Sequence, residues 1–214
     1  MPDNCVPQLQ TCRLRFGRLA AGGAPAVGAN NILVTKSFTT LATTAVYTDG
    51  DEIEDKNACG EVESQFRSAD TFKRLDFSIT FLVPDPYITA GLTDGVVLTA
   101  GTAIGAGYPA LGPVDETNIW SIEAWAKRVK NGALDPDYPY AHWAFPQAQN
   151  IRIGDKEMAN GTHLTVISGQ LVENPNWGDG PANDFPVAST RVAQWIPDDA
   201  LPAVACGFIT SIAS

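Results

Sequence analysis

DTFKRLDFSITFLVPDP, from Asp70 to Pro86, places Leu75, Phe77, Ile79, Phe81 and Val83 on alternate positions, with Arg74, Asp76, Ser78 and Thr80 between them. Side chains on a strand point to opposite faces in turn, so this pattern predicts a half-buried β-strand with one apolar and one polar face. The strand runs into Asp85-Pro86. An acid at the N-cap and a proline at the first helical position mark a helix start. The helix is expected to be about two turns long and to stop before Gly95, placed just past its C-terminus. The unit carries no reactive group.

Upstream, Glu61 to Phe66 reads as a strand, and Asp49 to Asp55, DGDEIED, as an acidic turn. Arg13 to Leu19 alternates, with Leu14 and Phe16 opposite Arg13 and Arg15. Gly22 to Asn30 reads as a loop; Ile32 to Val34 and Phe38 to Tyr47 read as extended segments whose polarity predicts shallow burial. Downstream, Val96 to Val114 is rich in Gly, Ala and Pro and reads as a strand end followed by a loop. The next segment fits two periods: Ile119, Ile122, Ala126 and Val129 make a helical stripe ending at Asn131-Gly132, whereas Trp120, Ile122, Ala124 and Ala126 alternate as a strand.

Tyr138 to Phe145, YPYAHWAF, is a strand whose Pro139 belongs at an edge or a first position. In Thr162 to Glu173 the apolar set moves from Leu164 and Val166 to Ile167 and Leu171 across Gly169, which predicts a β-bulge. Asn174 to Pro181, NPNWGDGP, reads as a rigid turn.

The chain has 214 residues, 19 Gly and 15 Pro, which favours one mostly β domain with many short strands. A formal net charge of -10 argues against tight nucleic-acid binding, which depends on Lys and Arg neutralising phosphates. Cys5, Cys12, Cys59 and Cys206 are scattered, and only His142 and His163 could complete a metal site, so no metal is expected and reduced thiols are the default. The N-terminus has no secretory pattern, and no apolar run is long enough for a membrane span.

Catalytic signatures are missing: there is no GxSxG, HExxH, phosphate loop or paired-glycine dinucleotide turn. His142, beside Trp143, reads as a packed or hydrogen-bonded histidine, and His163 similarly. Neither catalytic residues nor a cofactor are expected. Asp49, Asp51, Glu52, Glu54 and Asp55 lack the order of a calcium-binding loop. Trp120, Trp125 and Trp143 could stack on sugars if exposed, which makes a carbohydrate-binding β-sandwich the alternative function and a small hydrolase a third.

NACGEV (Asn57 to Val62), DTFKRLDFSITFLVPDP, IWSIEAW (Ile119 to Trp125) and NPNWGDGP occur in the order found in major tail tube proteins. The chain resembles those of long-tailed, siphovirus-type phages, particularly phages of actinobacteria, from about Cys12 to Pro181. The resemblance implies two β-sheets packed roughly orthogonally as a barrel-like sandwich with one flanking α-helix, and a strand at Ile119. It implies a structural virion protein, made in the host cytoplasm, whose hexameric rings stack into the tail tube that conducts genomic DNA. The partners so implied are copies of itself, the tape measure protein and tail-end proteins. Genomic DNA would pass without tight binding, and no membrane is involved. Residues 1–214 are expected to be one tail tube domain, with 189–214 a possible C-terminal arm and no immunoglobulin-like addition. Glu63 and Asp76 are assigned to the lumen, and the loop Thr35 to Cys59, with Asp49, Asp51, Glu52, Glu54 and Asp55, to the contact between rings.

Overall fold

A computed structural model describes residues 6–82, 85–156, 164–180, 185, 191–205 and 207–209. Cys5, Val83, His163, Pro181 and Cys206 lie outside the described residues. The strands are β1 (Gln8–Arg18), β2 (Ile32–Thr35), β3 (Phe38–Thr48), β4 (Glu52–Lys56), β5 (Val62–Arg67) and β6 (Thr71–Phe81), followed by the short helix α1 (Pro86–Leu92). After it come β7 (Val96–Ala100), β8 (Ala103–Gly107), β9 (Trp120–Lys130), β10 (Ala133–Leu134) and β11 (Tyr140–Ile153). The last are β12 (Thr165–Val172), β13 (Gln194–Asp198) and β14 (Phe208–Ile209). The protein is thus mainly β, and all its strand pairs are antiparallel.

Ten strands form one sheet in the order β14-β2-β1-β9-β11-β12-β6-β3, with β10 beside β9 and β13 beside the first half of β11. Three strands separate β1 from β6, which in a flat sheet would hold them roughly 19 Å apart. Yet the rings of Phe16 in β1 and Phe81 in β6 have centroids 6.3 Å apart. The sheet therefore curls back over itself, and one apolar core collects Leu14, Leu33, Ile79, Ile122, Ile151, Ile167 and Leu171 from its inner face. It does not close, because β3 at one end and β14 at the other do not pair. A cavity of about 230 Å³ remains between Leu41, Thr43 and Leu75 on one side and Ala124, Trp143 and Phe145 on the other.

Helix α1 contributes Ile88 and Leu92 to this core. Asp85 is its N-cap as expected: Oδ1 accepts the Tyr87 N–H at 2.8 Å, and Pro86 occupies the first turn. The other oxygen, Oδ2, accepts the Gly207 N–H at 2.9 Å, tying the helix start to the chain entering β14. At the other end Asp94, not Gly95, takes the left-handed conformation (φ 56°), and the Gly95 N–H returns to Ala90 O at 2.9 Å. Gly95 is required instead by contact, since a Cβ there would stand 2.4 Å from Gly107 O. Asn118 links α1 to β9, donating to Gly91 O and accepting from Trp120 Nε1 at 2.6 Å.

Several expectations need correction. The segment at Ile32 is fully buried, because β2 is flanked by β1 and β14 and lies over the core; β3 is shallow, as its polarity predicts. The acidic run is a strand rather than a turn: Glu52 to Lys56 pairs with Val62 to Arg67, and the chain reverses at Asn57 to Gly60. The bulge expected at Gly169 is found on one side only: the register with β11 shifts between Gln149 and Arg152, opposite Gly169, whereas pairing with β6 continues from Thr165 to Leu171 without a shift, so β12 keeps its facing. The lack of a side chain at Gly169 makes room for the Phe77 ring. The Gly/Ala-rich segment forms the β7–β8 hairpin.

The period ambiguity at Ile119 resolves as the strand β9, which is buried on both faces. Trp120, Ile122 and Ala124 face the main core, and Asn131 and Gly132, both at positive φ, form the turn into β10. On its other side a smaller apolar cluster joins Leu19, Ile119, Ala144, Trp177 and Phe185. Trp177 comes from the predicted rigid turn. Asn174 fixes that turn to the first loop by donating to Gly23 O at 2.7 Å. Within 189–214, the described residues supply β13 and β14 to the chain's own sheet.

Candidate functional site

FTTLATTAVYT, the whole of β3, contains no charged residue and no proline. It pairs with β6 along one edge and is the last strand of the sheet, so its other edge is free among the described residues. Long, flat, uncharged edges are the kind that recruit another strand, and soluble proteins usually blunt them with Lys, Pro or a cover. Among the described residues this edge has no Lys, no Pro and no cover, and its pairing with β6 shifts register only near its ends, between Phe38 and Thr40 and between Val46 and Tyr47.

Beyond β3 the chain continues into an arm. Thr48 pairs with Thr71 and Glu52 with Arg67, so β3–β6 and β4–β5 form one long hairpin in a common register. Between them the ladder is bridged by Gly50 N–H to Asp70 Oδ1 at 3.0 Å and Ser68 N–H to Asp51 O at 3.0 Å. Both strands of the arm are exposed throughout. Two cross-strand apolar pairs stand on it, Tyr47 with Phe72 and Ile53 with Phe66, and Phe66 is 65% exposed. Cross-strand apolar pairs normally stabilise a sheet by burying each other against a third layer, which is missing here.

The acids assigned to ring contact all lie here. Asp49 and Asp51 are at the joint, and Glu52, Glu54 and Asp55 are on β4. Glu52 accepts from Gln65 Nε2 at 2.7 Å, Glu54 pairs with Lys56 at 3.0 Å, and Asp55 accepts from Ser64 Oγ at 2.9 Å. Spread along an extended strand, they do not converge on a point. Among the described residues no group of three or more His, Cys, Asp or Glu side chains is gathered to hold a metal.

The two acids assigned to a lumen are not brought together. Glu63 is on β5 in the arm, whereas Asp76 is on the polar face of β6. Asp76 is matched by Arg74 at 2.7 Å, and its cross-strand neighbours are Thr44 and Gln170. With Ser78, Thr80, Ala42 and Ser168 this face presents hydroxyls and amides around one ion pair.

The β7–β8 hairpin and the loop after it, from Gly95 to Val114, hold no charged residue in a chain of net charge -10. Val96, Leu98, Ile104, Tyr108 and Leu111 are exposed there.

Behind the smaller cluster lies a group of charges that sequence reasoning missed. Glu123 in β9 is fully buried and accepts from Arg15 of β1 through Nε (2.8 Å) and Nη2. Its Oε2 also meets His142 Nε2 of β11 at 2.8 Å. The other ring nitrogen, Nδ1, lies 3.4 Å from Asp198 Oδ2 of β13, which is long for a directed hydrogen bond but close for opposite charges. Asp198 is held in addition by Trp125 Nε1 at 2.8 Å and by the Ala200 N–H at 3.0 Å. The indole of Trp125 stacks on the imidazole, with centroids 4.0 Å apart, and Arg15 lies over that indole.

Burial pushes the Glu123 carboxyl up, but Arg15 and His142 outweigh it and hold it at about 2. For Asp198 burial again raises, and His142, the Ala200 amide and the Trp125 indole bring it down to about 2. Burial works against a charged His142, yet the carboxylates of Asp198 and Glu123 raise its pKa above the ordinary imidazole value. One signal was present in the sequence: an acid at the centre of IWSIEAW, in a strand apolar on both faces, demands a buried cation.

His142 is the hydrogen-bonded, packed histidine that its aromatic surroundings predict. Trp120 and Trp125 are 1% and 2% exposed, so neither offers a face to a sugar, and Trp143 is half-buried with its Nε1 bonded to Gln8. Cys12 and Cys59 are free thiols. No protein-family model matches the chain, and no curated protein matches it.

Proposed function

We propose that this chain is a self-assembling structural subunit, the major tail tube protein of a long-tailed phage, forming hexameric rings that stack into the conduit for the genome. One observation carries the reading: β3 is an eleven-residue edge with no charge and no proline, and among the described residues nothing pairs with its outer side. Left free, such an edge invites uncontrolled pairing; met by the neighbouring copy in a closed ring, it is satisfied once per subunit and the hazard disappears. The ordered motifs of the sequence supply the identity of the ring.

The roughly orthogonal barrel-like sandwich is the form that the curled, unclosed sheet takes in this reading, and its gap is where neighbours complete it. The arm, with Ile53, Phe66 and the acids from Asp49 to Asp55, reaches the next ring. The polar face around Asp76 forms the wall of the channel. Duplex DNA is gripped through Lys and Arg on its phosphates, so hydroxyls, amides and one internally matched ion pair let it slide. Glu63, carried on the arm, belongs to the stacking contact in this assembly rather than to the wall. The tape measure protein and tail-end proteins are the further partners, and the site of action is the virion.

Electron microscopy and sedimentation of the purified chain test the proposal. The wild type is expected to form rings or tubes of uniform width. The double variant Ala42→Lys, Thr44→Lys, at exposed positions of β3, is expected to stay monomeric with an unchanged circular dichroism spectrum. A wild-type chain that remains monomeric at high concentration overturns the reading.

A further inference from the structure

We propose that His142 is a proton-operated latch that fastens β13 to β11, releasing the strand when the imidazole loses its proton. The ring has a carboxylate at each nitrogen, Glu123 at Nε2 and Asp198 at Nδ1. Only the doubly protonated imidazolium presents an N–H to both; a neutral ring must turn a lone pair toward one of them. With the imidazolium, the two carboxylates are balanced by Arg15 and His142. Without it, a nearly dry cluster holds an unmatched negative charge, which is costly in a medium that screens poorly.

The two carboxylates do not yield equally. Glu123 is enclosed in a central strand and clamped by the Arg15 guanidinium. Asp198 ends a five-residue strand that, among the described residues, pairs only with β11, and its side chain is one-fifth exposed. Loss of the proton is therefore relieved at Asp198, by β13 moving away.

Among the described residues the charged groups around the ring are few. From β1 comes Arg15, from β9 Glu123, and from β13 Asp198. The next cations along β1 and β9, Arg13 and Lys127, bond to Cys12 O and Gln10. The Cys12 thiol meets Trp125 O, and burial pushes its own pKa up. Trp125 and Phe185 close the faces and edge of the ring without charge. The raised imidazole pKa has the sign this arrangement requires. The latch is independent of whether the chain assembles.

Amide hydrogen exchange at those amides of Gln194–Asp198 that bond to β11, corrected for the intrinsic pH dependence of exchange, tests the latch. Between about pH 5.5 and about pH 9, protection in β13 is expected to fall roughly tenfold for each unit by which the folded state raises the imidazole pKa. Amides in β6 and β12 serve as references and should not change. His142→Gln, which keeps a donor and cannot be charged, should leave β13 with low protection at every pH. Flat protection in the wild type, or an equal fall in His142→Gln, overturns the proposal. Should His142→Gln fail to fold, nitrogen NMR of the wild-type His142 ring decides: a midpoint at or below the ordinary imidazole value also overturns it.

Discussion

Gly169 of β12 stands opposite Phe77 of β6, so close that a Cβ at position 169 would lie 2.8 Å from the ring Cε1 and 3.0 Å from Gln149 O. The ring is in the main core and the carbonyl is backbone, so neither gives way easily. Gly169→Ala is expected to destabilise the fold by about 1–3 kcal/mol. Gly105→Ala, in β8 where nothing lies within 4 Å, should be neutral or stabilising by up to about 1 kcal/mol. Urea unfolding followed by tryptophan fluorescence compares them, and equal losses would refute the packing explanation.

Removing one partner of the buried ion pair should cost more. Glu123→Ala leaves the Arg15 guanidinium buried without its carboxylate, for an expected loss of about 3–5 kcal/mol. The acid side of the stability profile carries the same signature. Glu123 and Asp198 are both held at about 2 in the folded protein, below their unfolded values. Their contribution is complete above the unfolded carboxylate range and disappears as pH falls toward 2. Unfolding free energies measured across that interval should therefore decline less steeply in Glu123→Ala than in the wild type.

Asp85 gives one oxygen to the helix and the other to Gly207, so its variants should separate the two roles. Asp85→Ala loses the cap, for about 0.5–2 kcal/mol. Asp85→Asn keeps one acceptor oxygen for Tyr87 and leaves the Gly207 N–H facing an amide nitrogen. Amide exchange at Phe208 and Ile209 should thus accelerate in both variants, while thermal stability drops further in Asp85→Ala.

On the arm, Ile53→Ser with Phe66→Ser touches only exposed side chains and should leave monomer stability within about 0.5 kcal/mol. In the proposed assembly, microscopy should then show rings that no longer stack. Charge reversal at Asp49, Asp51, Glu52, Glu54 and Asp55 should act likewise; stacking that survives both changes would remove the arm from the contact between rings.

The elements read most readily from sequence were those whose period and termini agree. In Thr71 to Phe81 the alternation matches burial at Phe77, Ile79 and Phe81, and Asp85-Pro86 supplies a start signal that only a helix uses. Where local chemistry and tertiary position diverge, the sequence misleads. Ile32 to Thr35 is short and borders polar segments, and only its place between β1 and β14 buries it. In Val96 to Gly107 only the first half, Val96 to Thr99, has the bulky residues that mark a strand; the second half is mostly Gly and Ala, and pairing across the turn at Gly101 makes it a strand regardless. The Arg15–Glu123–His142–Asp198 cluster joins residues from four strands, and no spacing along the chain encodes that meeting.

The long hairpin from Phe38 to Phe81 pairs near neighbours in the chain, whereas β1 waits for β9, and β2 at Ile32 and Leu33 waits for Phe208 and Ile209. Local loops close at lower entropic cost and sooner than distant ones. During vectorial synthesis the hairpin can therefore zip before the strands from β9 to β14 have emerged. A nascent chain would display the open edge of β3 before the remaining scaffold exists, giving the cell reason to shield it with a chaperone until the late strands arrive.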